Sequence, residues 1–159
     1  MKRITDLSSL PAEEIKWRNR RFYTDQGHVY TTDPDPEHVA KRKIKNVRNQ
    51  DLRRVLRTFP TDEPLYVQCA LWLRAFAGKQ FFPDANHRTA MLTLDYLLDE
   101  NGIETPNWPG DHVTDSVYQS KLLIKNKTQV TFDNLWERDE LYLVWRRHFV
   151  QYWKSVENE

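Results

Sequence analysis

The stretch Gly78-Lys79-Gln80-Phe81-Phe82-Pro83-Asp84-Ala85-Asn86-His87-Arg88-Thr89 separates two segments that both read as core helices. Upstream, residues 65–77 are apolar nearly all round, the mark of a helix buried on every side. Gly78 is the expected C-cap of that helix. Downstream, Ala90, Met91, Leu94, Leu97 and Leu98 form a core stripe over residues 86–100, and Asn101-Gly102 with Ile103 behind reads as its stop. A buried helix therefore runs into a short stiff loop, and a second helix starts immediately after it.

That second start carries chemistry. The amides near Ala85, Asn86 and His87 have no intrahelical acceptors, and the helix dipole adds partial positive charge. Such an end suits an anion, phosphate above all. Arg88 in the first turn opposes the dipole unless a phosphate is present for its guanidinium to grip. Asp84 is placed to cap the helix, and equally to share a magnesium ion with phosphates. Phe82, by packing, and Pro83, by fixing its own φ, stiffen the loop. By themselves these residues leave two roles open, a phosphate-binding turn or a simply well-capped helix.

Outward from the loop the pattern stays helical. Ser9 and Pro11 open a segment at 12–20. The runs Arg21-Phe22-Tyr23-Thr24 and His28-Val29-Tyr30-Thr31, joined by Asp25-Gln26-Gly27, read as a β-hairpin. After the Asp33-Pro34-Asp35-Pro36 break, residues 37–58 put Ile44, Val47, Leu52, Val55 and Leu56 on one face of a basic helix. Further helices are expected at 112–125 and at 133–154, the last studded with Trp136, Trp145, Phe149 and Trp153. The expectation is an all-α domain over residues 1–159, a helical bundle carrying one small hairpin.

Composition narrows the class. With 39% apolar and 30% charged residues the chain is an ordinary globular sequence, and only 4 glycines argue against a turn-dense β fold. The lone Cys69 excludes an internal disulfide and a cysteine metal cluster, and inside its apolar run it reads as a small buried hydrophobe. No apolar run is long enough to span a membrane, and the amino terminus lacks a signal-peptide core, so a cytoplasmic location is expected. Charge is uneven: residues 1–57 carry a net +6 and the remainder −5. That asymmetry fits an anionic partner or substrate, or a merely solvated helix face.

The loop resembles the Fic/Doc signature, His-x-Phe-x-Asp/Glu-Gly/Ala-Asn-Gly/Lys-Arg. Phe82, Asp84, Ala85, Asn86 and Arg88 match position by position, and Ala85 with Thr89-Ala90 is nearer the Doc branch. His87 stands where that branch has lysine and the Fic branch glycine. Met91 falls where Fic proteins carry a second arginine. The resemblance implies a Fic/Doc-like helical bundle binding ATP or another nucleoside triphosphate with magnesium. It assigns phosphate contacts to Ala85, Asn86, His87 and Arg88, and magnesium to Asp84. The hairpin at 21–31 becomes a flap docking a target segment through Phe22, Tyr23, Val29 and Tyr30. The target is a protein bearing a Ser, Thr or Tyr hydroxyl, and inhibition is expected from a separate antitoxin-like partner. Ser9 to Glu13 and Ser155 to Glu159 match the family's inhibitory motif only in part.

Gln80 occupies the place of the family's catalytic histidine. An amide can hold a hydroxyl but cannot take its proton, and losing a general base costs ~10²–10⁴-fold in rate. Positioning and charge neutralisation carry most of phosphoryl transfer, and Arg88 remains for them. Activity is then reduced or absent, and three explanations are open: a binding module without the chemistry, a chain in which His87 supplies the base, or a deliberate inactivating substitution at Gln80. Two rival functions stand beside these. The eight basic residues at 41–57 could bind nucleic acid, and the hairpin edge could join a partner strand.

Overall fold

The computed structural model describes residues 2–24, 37–105 and 110–157. Seven α-helices account for most of them: α1 (Ala12–Thr24), α2 (Glu37–Lys45), α3 (Asn49–Thr58), α4 (Leu65–Lys79), α5 (Asn86–Glu100), α6 (Gly110–Asn126) and α7 (Glu140–Glu157). A single 3-10 turn covers Phe132–Asn134, and no strand occurs among the described residues. None of the helices is long and apolar enough to cross a membrane.

α4 is the axis. Every residue from Val67 to Ala77 is buried, including the polar Gln68 and Arg74, because α5 and α7 pack along its flanks. Both of these buried polar side chains are hydrogen-bonded. Gln68 exchanges hydrogen bonds with the backbone of Ile4, which ties the amino-terminal segment to the core. The fully buried Arg74 donates from Nε and Nη2 to the two carboxylate oxygens of Asp139 at 2.9 and 2.8 Å, and from Nη1 to the carbonyls of Asn134 and Leu135. Trp72 donates its indole N–H to Ala90 O and Thr93 Oγ1, locking α4 to α5. Cys69 is a buried free thiol whose pKa burial pushes up, with Asp95 adding to the shift, as a small core hydrophobe requires.

Several boundaries differ from the sequence reading, each for a local reason. α1 continues through Arg21-Phe22-Tyr23-Thr24, so the expected first arm of the hairpin is helical. Phe22 there packs on the core and beneath Arg88. The second arm, including Val29 and Tyr30, lies outside the described residues. The basic helix expected at 37–58 is two helices. Lys16 of α1 donates Nζ to Lys45 O, Val47 O and Asn49 Oδ1, taking up the carbonyls at the end of α2 and holding the break open.

α7 begins at Glu140 rather than 133 because Asp139 accepts the Tyr142 amide as an N-cap while pairing with Arg74. Gly78 is not the C-cap of α4. It lies inside the helix, where a Cβ would stand 2.3 Å from Val130 Cγ2, so its role is close packing. The end of α5 is as expected: Gly102 is left-handed (φ 69°), and the Ile103 amide reaches back to Leu98 O.

Candidate functional site

α4 ends at Gln80 in the left-handed region (φ 52°, ψ 59°), and α5 is entered from Ala85, also left-handed (φ 59°, ψ 29°). Two sign reversals of φ within six residues fold the loop back on itself, and side chains hold it there. Asn86 is the main clamp. Its Oδ1 accepts the Phe82 amide at 3.0 Å and its Nδ2 donates to Phe82 O at 2.9 Å, a pairing of the kind two strands make. Phe82 is buried. From outside the loop, the buried Asn19 of α1 donates to Asp84 O and Thr89 Oγ1, both at 2.9 Å.

The loop and the first turn of α5 form one side of a cavity of about 1230 Å³. Gln80, Phe82, Pro83, Asp84, Ala85, Asn86, His87 and Arg88 all face it. Met91, Leu92 and Asp95 of α5 extend that side, α6 supplies Lys121 and Lys125 opposite, and Phe22 of α1 closes one end. The Arg88 guanidinium lies 5.2 Å from the centre of the Phe22 ring, a cation–π contact that fixes the head group without neutralising it. Three cations, two carboxylates and the amino-terminal end of a 15-residue helix therefore line one cleft. The balance, one net positive charge plus the partial charge of the helix end, favours an anion.

The sequence reading of the loop is refined in three places. Asp84 is not the N-cap of α5. Ala85 holds that position without a side-chain bond, and the Asp84 carboxylate instead accepts the Ala85 amide at 2.7 Å. Asn86 spends its side chain on the loop, so what it offers a ligand is its backbone. His87 is a buried residue, 8% exposed, whose Nε2 lies 2.7 Å from Ser120 Oγ and whose ring packs by Trp145. Burial, reinforced by Lys121, lowers its pKa to about 4. A base that weak, with one nitrogen already engaged, is poorly suited to take a proton from a hydroxyl near neutral pH.

Gln80 is exposed and faces the cavity. Among the described residues no cluster of three or more His, Cys, Asp or Glu is arranged to hold a metal ion, so Asp84 is a single carboxylate, not a preformed cage. No protein-family profile, curated protein or solved structure matches this chain.

Asn19, Ser120, Lys121 and Lys125 escaped the sequence reading. Lys121 and Lys125 left a trace, since they stand four apart on one helix and so share a face. Asn19 and Ser120 left none. The basic residues between 41 and 57 do not line the cleft. Among them Arg54 lies over the Phe132 ring and 3.9 Å from Asp133, an engagement with the bundle itself.

Proposed function

We propose that this chain is a Fic/Doc-type domain that binds a nucleoside triphosphate, with magnesium, in the cleft built on residues 80–88. The carrying observation is that every residue matched to the signature loop lines one cleft together with Lys121 and Lys125. In this reading the α5 amides and Arg88 receive the phosphates, the two α6 lysines neutralise the remaining charge, and Phe82 with Asn86 keeps the turn rigid. One carboxylate fits a magnesium ion that is shared with the nucleotide, because magnesium is commonly held by one or two carboxylates plus phosphate oxygens and water. Asp84 would be that ligand, and the ion would supply charge neutralisation at the phosphates.

The proton-transfer step is what this chain lacks. Gln80 can orient a target hydroxyl at the mouth of the cleft, and its amide leaves the proton where it is. The expected protein therefore binds nucleotide well and transfers it to a protein hydroxyl slowly or not at all. Calorimetric titration with ATP, GTP and UTP in magnesium tests the binding. Saturable binding by at least one, abolished in Arg88→Ala, supports the reading, and heat-silent titrations with all three sink it. A Gln80→His variant that transfers labelled nucleotide to protein, where the parent does not, would place the deficit at this one side chain.

A further inference from the structure

His87 has surroundings that dictate its protonation state. Its neighbour Ser120 is fully buried on α6 and touches two groups. Trp145 Nε1 lies 3.4 Å from Ser120 Oγ, and an indole N–H can only donate. Ser120 Oγ also lies 2.7 Å from His87 Nε2, and the hydroxyl has no other acceptor among the described residues. Its proton therefore goes to His87, and Nε2 must be the acceptor. A neutral imidazole accepting at Nε2 carries its hydrogen on Nδ1.

The neutral form is favoured independently. Burial and the nearby Lys121 hold the pKa at about 4, and the start of α5 is an unfavourable place for a cation. The second nitrogen, Nδ1, has no protein partner among the described residues, although the residue is more than nine-tenths buried and lines the cleft. That nitrogen is not among the sealed-off polar atoms of the core, so its N–H is open to a ligand or water oxygen in the cleft.

We infer that Trp145 and Ser120 hold His87 as its Nδ1–H tautomer, so that it offers the cleft a fixed, uncharged hydrogen-bond donor for an oxygen of a bound nucleoside triphosphate. Ser120 and Trp145 are positioning residues, and His87 is the ligand-binding one. The ligand half of this inference rests on the nucleotide reading above, whereas the tautomer half does not. A neutral donor differs from a lysine in that position: it fixes direction and adds no charge to a cleft already holding Arg88, Lys121 and Lys125.

The experiment has two arms. Nitrogen-15 NMR of histidine-labelled parent chain, with the His87 signal assigned through its loss in His87→Gln, is expected to show a pyrrole-type Nδ1 and a pyridine-type Nε2. In Ser120→Ala, a small change inside a helix, the ring is expected to move towards the Nε2–H form. Calorimetry with magnesium ATP forms the second arm. An asparagine amide nitrogen reproduces the place of Nδ1 and a glutamine amide that of Nε2. His87→Asn should therefore keep affinity within about threefold, while His87→Gln and Ser120→Ala lose about tenfold, the worth of one hydrogen bond to a charged acceptor. An Nε2–H parent ring overturns the inference without any variant. Equal ATP affinity in the parent and His87→Gln overturns the donor role alone. No binding of ATP, GTP or UTP by the parent overturns both the donor role and the nucleotide reading, and leaves the tautomer to stand or fall on its spectrum.

Discussion

Asp139→Ala should be the most damaging single substitution of a partly exposed residue in this protein. The carboxylate does two jobs. It receives a fork of two charge-assisted bonds from Arg74, whose side chain has no solvent exposure, and it caps α7 through the Tyr142 amide at 3.1 Å. Truncation leaves a buried guanidinium with carbonyl partners on one nitrogen only, those of Asn134 and Leu135. Breaking a buried pair from one side costs about 3–5 kcal/mol, and a lost N-cap about 1 kcal/mol. The Asp139 side chain keeps 23% of its surface, so water entering its place offsets part of the loss. About 3 kcal/mol is the reasoned total, or a fall in Tm of about 6–12 °C for a domain of this size.

Urea unfolding followed by tryptophan fluorescence measures it, and pH gives a second axis. Burial raises the Asp139 pKa, but the Arg74 bonds and the Tyr142 amide outweigh it, so the folded value lies below the ordinary 3.8. A depressed carboxylate contributes stability that is present above its unfolded pKa and lost as pH falls through the folded one. The gap between parent and Asp139→Ala should therefore hold from pH 7 to about 4 and narrow below that. Arg74→Met with Asp139→Asn, which removes both charges but keeps a capping side chain, should cost less than Asp139→Ala alone. A loss under about 1 kcal/mol, or a gap unchanged down to pH 3, would refute this account of the pair.

Two other outcomes concern the loop directly. Asn86→Ala removes two neutral hydrogen bonds to Phe82, a loss of about 2 kcal/mol, and should speed hydrogen exchange at the Phe82 amide. A variant as stable as the parent, with the same protection at Phe82, would remove Asn86 from its role as clamp. Gln80→Gly should stabilise by about 0.5–1 kcal/mol in the same urea assay, since Gln80 is an exposed left-handed residue at a helix end. Ala85→Gly should change little, because relief of the same strain is offset by backbone entropy and the loss of a buried methyl. Equal gains at both positions would contradict the distinction.

The parts of this fold that the sequence made legible are those fixed by short-range rules. The bounds of α5 follow from its apolar stripe and from Gly102, and the burial of α4 from its all-round hydrophobicity. The misjudged boundaries depend on partners far along the chain. The break between α2 and α3 is held by Lys16, some 30 positions away, and the late start of α7 by Arg74, 65 positions away. Neither a lysine nor an arginine announces in sequence that it will be buried against carbonyls. The extension of α1 across 21–24 was hidden for a different reason. An aromatic run beside a glycine satisfies strand rules locally, and only the packing of Phe22 beneath Arg88 decides for helix.

At the site the same division separates residue identity from residue role. Residues 80–88 lie together on one loop and the first turn of α5, yet the motif could not reveal that Asn86 is consumed by Phe82 or that His87 engages Ser120. The loop is braced by Asn19, Asn86 and Phe82, and none of those braces involves Gln80. The Gln80 side chain is exposed and makes no hydrogen bond among the described residues, so it can be exchanged without loosening the turn. Under the proposed function, binding and proton transfer are thus separable in this chain. A Gln80→His variant that folds and binds nucleotide as the parent does, yet transfers nothing, would locate the missing competence beyond the loop. One that gains transfer would make the glutamine its whole cause.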